Sequence, residues 1–298
     1  MIKLDGILAP VVTPFGASGE IDGDGFVRNV RAHLAAGLQG IVVAGSTGEA
    51  ALLDEDERAR LVELARGATP AGRPLLVGTG GESTRQVIAR SRAAAERGAD
   101  AVLVVAPHYY GDAVTPEALQ EHYLRIADAS PVPVLLYTIP KYMHFALPVD
   151  VVAALAKHEN IVGMKDSSGD ATLFAGYLAS KSPTFRVLTG SGTLLGEALR
   201  LGGDGAILAV SLFDPEGSLE VLNATRAGDV AVARAAQARL APLASRMGGG
   251  MGVAGVKAAL DAIGLAGGAP RPPLRPLAAP MAAQLSELLD AAELSAAR

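Results

Sequence analysis

A lysine closes the apolar run in "NIVGMKDSSGD", residues 160–170. Buried strands rarely carry an ammonium group, so Lys165 is the first residue whose chemistry needs an explanation. Burial favours the neutral form of an amine, and a neutral amine can attack a ketone to form a Schiff base. On the residues alone the commoner outcome is simpler: a lysine that reaches a surface rim and pairs with Asp166. Tyr137, in "YTIP", offers a phenol that could relay protons beside a cationic imine. Taken singly, it reads better as a core tyrosine with a satisfied hydroxyl. "GSTGE", 45–49, brings Ser46, Thr47 and close backbone N–H groups together, a set that suits a carboxylate. A plain tight turn has the same composition. Glu49 reads more readily as a turn or helix-end charge than as a base. "TGSGT", 189–193, could hold a phosphate, but a strand-to-helix turn is the better reading.

No metal set accompanies these groups. The five histidines, His33, His108, His122, His144 and His158, form no i, i+4 pair or other zinc spacing. His33, His122 and His158 fall on helical segments and are expected at the surface. His108 and His144 fall near the same loops as Tyr137 and remain candidate substrate contacts.

The elements that must position these residues repeat. Short runs rich in Val, Ile and Leu begin near residues 6, 40, 74, 101, 133, 161, 186 and 205. Each is continuously apolar, as expected of a parallel sheet covered on both faces. Amphipathic segments lie between them. One opens at Asp54 with Glu57 at capping-box spacing, and another runs from an N-cap at Ser83 to a stop at Gly98. Eight strand–helix units predict a (β/α)8 TIM barrel over residues 1–213, with a C-terminal helical extension over 214–298 packed on it. A doubly wound sheet would be expected to carry a nucleotide loop after its first strand; here that strand runs into "VTPFGASGE". The proline-rich "APRPPLRPLAAP" reads as a rigid connector to a last helix from about residue 281. In such a barrel the strand C-termini carry the chemistry, which is where Ser46, Thr47, Tyr137, Lys165 and Gly190 all fall.

Composition narrows the function classes. The formal charge is −5 with no basic block, which argues against nucleic acid or an anionic membrane as partner. Cysteine is absent, so disulfides, thiolate metal sites and a cysteine nucleophile are excluded. No run approaches the roughly 20 apolar residues that span a bilayer. The N-terminus lacks the layout of a signal peptide, and the expected location is the cytoplasm.

In combination, these pieces resemble the dihydrodipicolinate synthase and N-acetylneuraminate lyase superfamily of class I, lysine-dependent pyruvate aldolases. The likeness runs through "VTPF" (12–15), "GSTGE" (45–49), "YY" (109–110), "Y-x-x-P" (137–140), "GMKDSSGD" (163–170), "GS" (190–191) and "RPPL" (271–274). Each motif is weak; their order on eight strands is specific. The resemblance implies that Lys165 is the Schiff-base lysine and that Tyr137 shuttles protons. It implies that Ser46 links Tyr137 to a second tyrosine, Tyr110, which reaches into a neighbouring subunit's site. It places Thr47 on the 2-oxo acid carboxylate, and Gly190 and Ile207 along the pyruvate end. A homo-oligomer, dimer or tetramer, follows, with no metal and no organic cofactor.

Departures from the pattern bear on the substrate. Dihydrodipicolinate synthases carry an arginine two residues after the Y-x-x-P proline; Tyr142 stands there, after Lys141, and a phenol supplies no bidentate fork. Neuraminate lyases carry a carboxylate just past the strand-7 glycine; Ser191 and Gly192 stand there. "GGEST" and "NIVGMKDSSGD" look closest to 4-hydroxy-2-oxoglutarate aldolases. The expected activity is therefore reversible cleavage of a 4-hydroxy-2-oxo acid to pyruvate and an aldehyde, of 4-hydroxy-2-oxoglutarate or 2-keto-3-deoxy sugar acid type. The alternatives are 4-hydroxy-tetrahydrodipicolinate synthase, N-acetylneuraminate lyase and a sugar-acid dehydratase. From another class, a binding protein that recognises a 2-oxo acid without turnover also fits.

Overall fold

The computed structural model describes residues 2–294, so residue 1 and residues 295–298, the outer ends of the two expected segments, lie outside the described residues. Eight parallel strands close into a barrel in sequence order, with the last paired to the first. They are β1 Ile7–Pro10, β2 Gly40–Val43, β3 Leu75–Gly78, β4 Ala101–Val105, β5 Val134–Thr138, β6 Ile161–Asp166, β7 Arg186–Thr189 and β8 Gly205–Ile207. Almost every strand residue is buried, because helices cover the outer face and side chains fill the inner one. The expected TIM barrel is the observed fold.

Helices follow the strands: α1 Gly23–Ala35, α2 Glu55–Ala68, α3 Thr84–Glu96, α4 Pro116–Ala129, the single turn α5 Pro140–Met143, α6 Val149–Leu155, α7 Ala171–Leu178 and α8 Leu195–Arg200. Their ends carry the signals expected of them. The Asp54 carboxylate accepts from the Glu57 N–H while the Glu57 carboxylate accepts from the Asp54 N–H, closing a capping box on α2. Ser83 caps α3, and Gly98 follows it with a left-handed φ of 90° that a side chain would disfavour.

Four helices come after the last strand: α9 Pro215–Ala227, α10 Val230–Arg246, α11 Gly252–Ala262 and α12 Ala279–Ala291. Helix α9 packs against α8 and β1, so helix packing continues across residue 213. Helices α10 and α11 lean over the C-terminal ends of the strands. Helix α10 contacts the 3-10 turn Gly192–Leu194 after β7, and α11 contacts the turns Ser46–Gly48 and Val210–Leu212. Between them Met247–Met251 forms a π-helical turn, and Gly252 leaves it at φ 54°, ψ −145°, a conformation open in practice only to glycine. None of the described helices is long and apolar enough to cross a membrane.

Two expectations about the helices fail. His33 on α1 and His122 on α4 are buried, not at the surface. Each lies on the inward stripe of its helix, where periodicity counts a histidine as polar although its ring packs like an aromatic. Burial holds both imidazoles neutral, down to about 4 from the ordinary 6.5. A depressed folded-state value means that stability is complete above about pH 6.5 and is lost as pH falls toward 4. Each group therefore removes up to about 3 kcal/mol across that window. Thermal melts between pH 7.5 and 4.5 should show a falling midpoint, with a visibly shallower fall for His33→Leu.

Candidate active site

The register between β5 and β6 sets the site. Tyr137 is paired with Lys165, and Lys165 with Leu188 of β7. Both site residues are thus last-turn side chains of adjacent strands, at the rim from which the loops emerge. Lys165 is only 7% exposed, and its Nζ lies 4.4 Å from the centroid of the Tyr137 ring. The neighbouring Asp166 points the other way, as alternation along a strand demands. Its carboxylate accepts from the Ser168 N–H (2.9 Å) and the Ser168 hydroxyl (2.8 Å), and burial pushes its pKa up. Asp166 thus braces the "KDSS" loop, and the rim ion pair with Lys165 does not form.

Lys165 opens into a cavity of about 500 Å3, large enough for a small organic acid. Ser46, Thr47, Tyr137, Lys165, Gly190 and Ile207 all line it. The Ser46 hydroxyl lies 3.5 Å from the Tyr137 hydroxyl. Six of the seven expected site residues are therefore brought together. The seventh, Tyr110, stays outside: it is 70% exposed beyond β4, edge-on to Tyr109 with ring centroids 5.0 Å apart. Of the two candidate histidines, neither His108 nor His144 lines the cavity. His108 lies 3.5 Å from the Glu82 carboxylate instead.

The far half of the cavity has a distinct chemistry. Lys141 and Tyr142 of α5 line it together with Ser167, Ser191 and Thr193, and among the described residues no aspartate or glutamate does. Burial pushes the Tyr142 phenol above its ordinary pKa, and the nearby Tyr137 phenol adds to that shift. The wall opposite the strands comes from α10, α11 and the π-helical turn, through residues such as Met247, Val253 and Val256. Sequence patterning missed that wall. The available signal was the four glycines 248–250 and 252, which no ordinary helix would tolerate. Among the described residues no cluster of His, Asp and Glu could hold a metal ion.

With this geometry in hand, comparison with known proteins is decisive for the family. The model of the dihydrodipicolinate synthetase family matches residues 3–292. The chain belongs to that family. It is 34% identical to the 4-hydroxy-tetrahydrodipicolinate synthase of Methanothrix thermoacetophila over 95% of both chains. It is 38% identical to the Xanthomonas campestris pv. campestris protein of the same name, over 93% of this chain and 91% of that one. Among solved structures, a dihydrodipicolinate synthase from Bacillus anthracis superposes with a TM-score of 0.93 at 30% identity, covering 97% of this chain and 99% of the other. YagE, an E. coli K12 prophage protein of the dihydrodipicolinic acid synthase family solved with pyruvate, gives 0.91 at 33% identity, covering 98% and 99%. Family membership carries the class of chemistry, pyruvate-dependent carbon–carbon bond formation and cleavage.

Gly190 gives a steric test of the site. A Cβ built there would lie 2.6 Å from Lys165 Cε and closer still to the Ser167 hydroxyl. Gly190→Ala should therefore displace the amine by a few tenths of an ångström or more while leaving the fold intact. The expected result is a loss of covalent pyruvate capture on the order of a hundredfold in rate, with an unchanged far-UV spectrum.

Proposed function

We propose that this chain is a Schiff-base enzyme that joins pyruvate to an aldehyde bearing its own carboxylate, or releases pyruvate from the resulting 4-hydroxy-2-oxo acid. One observation carries the reading: a buried lysine amine set against the Tyr137 phenol, on the edge of a cavity whose lining includes two lysines and no acidic residue. Such a cavity favours anionic substrates.

The Lys165 amine attacks the ketone carbon of pyruvate, and loss of water leaves a protonated imine. That cation is an electron sink, so a proton can leave C3 and the resulting enamine can add to the aldehyde carbon. Run backwards, the same sink accepts the electron pair released when the C3–C4 bond breaks, after which C3 is protonated; in either direction water then hydrolyses the imine, freeing the keto acid and the Lys165 amine. Tyr137 moves the proton to or from the C4 oxygen, with Ser46 linking its hydroxyl to a neighbouring protomer's Tyr110; the 3.5 Å separation of the Ser46 and Tyr137 hydroxyls is within reach of shortening when substrate is bound. Thr47 and adjoining N–H groups hold the carboxylate so that C2 faces the amine. Gly190 and Ile207 bound the pyruvate end. Tyr110, exposed on one protomer, completes the relay in a neighbouring one, which makes the working form a cytoplasmic homo-oligomer.

For the aldehyde, the names of the relatives favour aspartate semialdehyde, and hence 4-hydroxy-tetrahydrodipicolinate synthase. Tyr142 favours a second reading, cleavage of 4-hydroxy-2-oxoglutarate, because it stands where those synthases place an arginine. Aspartate semialdehyde and the two-carbon aldehyde acid released from 4-hydroxy-2-oxoglutarate both carry a carboxylate for Lys141 to face. A sugar acid is less well served: a side chain at Gly192 would meet Ala244 Cβ at 2.7 Å, so α10 leaves no room there for a carboxylate to read a polyol.

Pyruvate plus borohydride should add a reduced pyruvyl group to the wild type and not to Lys165→Ala; a mass shift that survives the substitution sinks the assignment. Tyr137→Phe should lose about 10²–10⁴ in turnover with little change in pyruvate capture. A panel of aspartate semialdehyde with pyruvate, 4-hydroxy-2-oxoglutarate and 2-keto-3-deoxy sugar acids then ranks the substrates by kcat/KM. Absence of turnover on all of them, with capture intact, would leave a pyruvate-binding protein.

A further inference from the structure

Glu49 and Lys257 are the least exposed charged pair among the described salt bridges, with side chains 0% and 1% accessible and Oε1 to Nζ at 2.5 Å. Neither touches the cavity. Their places in the chain are what matter. Glu49 directly follows Ser46, Thr47 and Gly48, and it holds a left-handed backbone, φ 58° and ψ 35°, that costs a non-glycine residue energy. Lys257 sits on α11, one residue after Val256, which lines the opposite wall of the cavity. The pair thus joins the two walls.

Both oxygens of the carboxylate are engaged, since Oε2 accepts from the Arg271 N–H at 2.8 Å. Lys257 also donates to the Ala269 carbonyl at 3.0 Å and packs over the Phe15 ring at 4.5 Å. The Arg271 guanidinium donates to the Leu52 carbonyl at 2.8 Å, just past the turn. The Thr13 hydroxyl donates to the Gly48 carbonyl at 2.7 Å. The Ser46–Gly48 turn itself carries only short side chains, held by the Thr13 bond below and by Glu49 above. Here the ion pair ties it to the extension.

We propose that Glu49 and Lys257 are positioning residues: their buried ion pair makes the C-terminal extension a structural part of the active site by holding the Ser46–Thr47 hydroxyls in register with Lys165. The idea rests on the reading of that loop as the pyruvate-carboxylate site. It concerns a contact through which the chemistry is organised, since neither residue meets the substrate.

The test uses the full chain and three variants: Lys257→Met, Lys257→Arg as the conservative rescue, and Glu49→Gln/Lys257→Met. The double variant removes both charges, so it folds even where a lone buried carboxylate would unfold the single one. Hydrogen exchange of peptides covering residues 46–53 should quicken about tenfold in the double variant while the strand peptides hold their protection. The pyruvate concentration for half-maximal borohydride capture should rise about tenfold, with the maximum extent unchanged because Lys165 is intact. Lys257→Arg should recover most of both effects. A folded double variant with wild-type loop exchange and wild-type half-saturation overturns the proposal. Failure of the wild type to be captured at all would instead refute the Schiff-base reading, and the exchange measurement alone would then decide whether the pair holds the loop.

Discussion

Closing eight parallel strands leaves little freedom in where a side chain at a strand end can go. Each strand is pinned on both sides, so its residues alternate between the packed interior and the helices outside, and a shift of one position would reverse all of them. With Tyr137 paired to Lys165 across the β5–β6 seam, an amine and a phenol are forced to the same rim at van der Waals range. An ammonium at such a place would be costly in an apolar interior, and it is tolerable here because the barrel ends at that level and a polar cavity begins. Stability and reactivity thus come from one geometric condition. The apolar strand below Lys165 keeps water away, and the loop above supplies the groups that a bound keto acid would need.

The barrel alone does not enclose that cavity. One wall is built from helices that come after the last strand, and they can approach only because small residues meet them. Gly192 lets α10 close on the turn after β7, since a Cβ there would collide with Ala244 and Val210. The glycine-rich π-helical turn lets the chain reverse between α10 and α11 directly over the strand ends. The proline-rich segment then brings Arg271 to the connections after β1 and β2, where its guanidinium pairs with Glu57 at 2.5 Å on α2 and stacks 4.1 Å over Phe15. What reads as a spacer in the sequence is tied through Arg271 to the turn beside Ser46 and Thr47.

This contrast shows what could be read from residues alone. The strands were legible because each is a short unbroken apolar run, and a buried parallel sheet imposes that pattern locally. The α2 cap was legible for the same reason: Asp54 and Glu57 satisfy each other within one turn. The site at the strand ends was legible because a barrel converts position in sequence into position on a rim. Lys257 was not, because a lysine with Asp261 one turn on in "GVKAALDAIGL" reads as an ordinary i, i+4 pair on a helix surface. Its partner lies in the second strand–helix unit, and the backbone contact that completes the network spans 222 residues. Buried His33 and His122 were misread because a hydropathy pattern weighs an imidazole by its polarity, whereas packing weighs its shape and its willingness to stay neutral.

The two halves of the cavity answer to different physical demands, and this is why relatedness constrains one more tightly than the other. On the proposed reading the pyruvate half must form a covalent bond at a fixed distance, and Lys165, Tyr137 and Ser46 are set against one another there by register and contact, with Thr47 on the same turn. The far half only has to accept a second group, and its walls are a helical turn, hydroxyls and backbone. There a residue such as Tyr142 can replace an arginine without disturbing the amine, because α5 is a separate turn hung on the end of β5. A phenol offers one directional hydrogen bond where a guanidinium offers a charged fork. The carboxylate of an incoming aldehyde would then depend on Lys141, a point charge on a flexible stem that sets sign more firmly than orientation. On the proposed reading this arrangement would favour negative charge at the far end while leaving chain length loosely read.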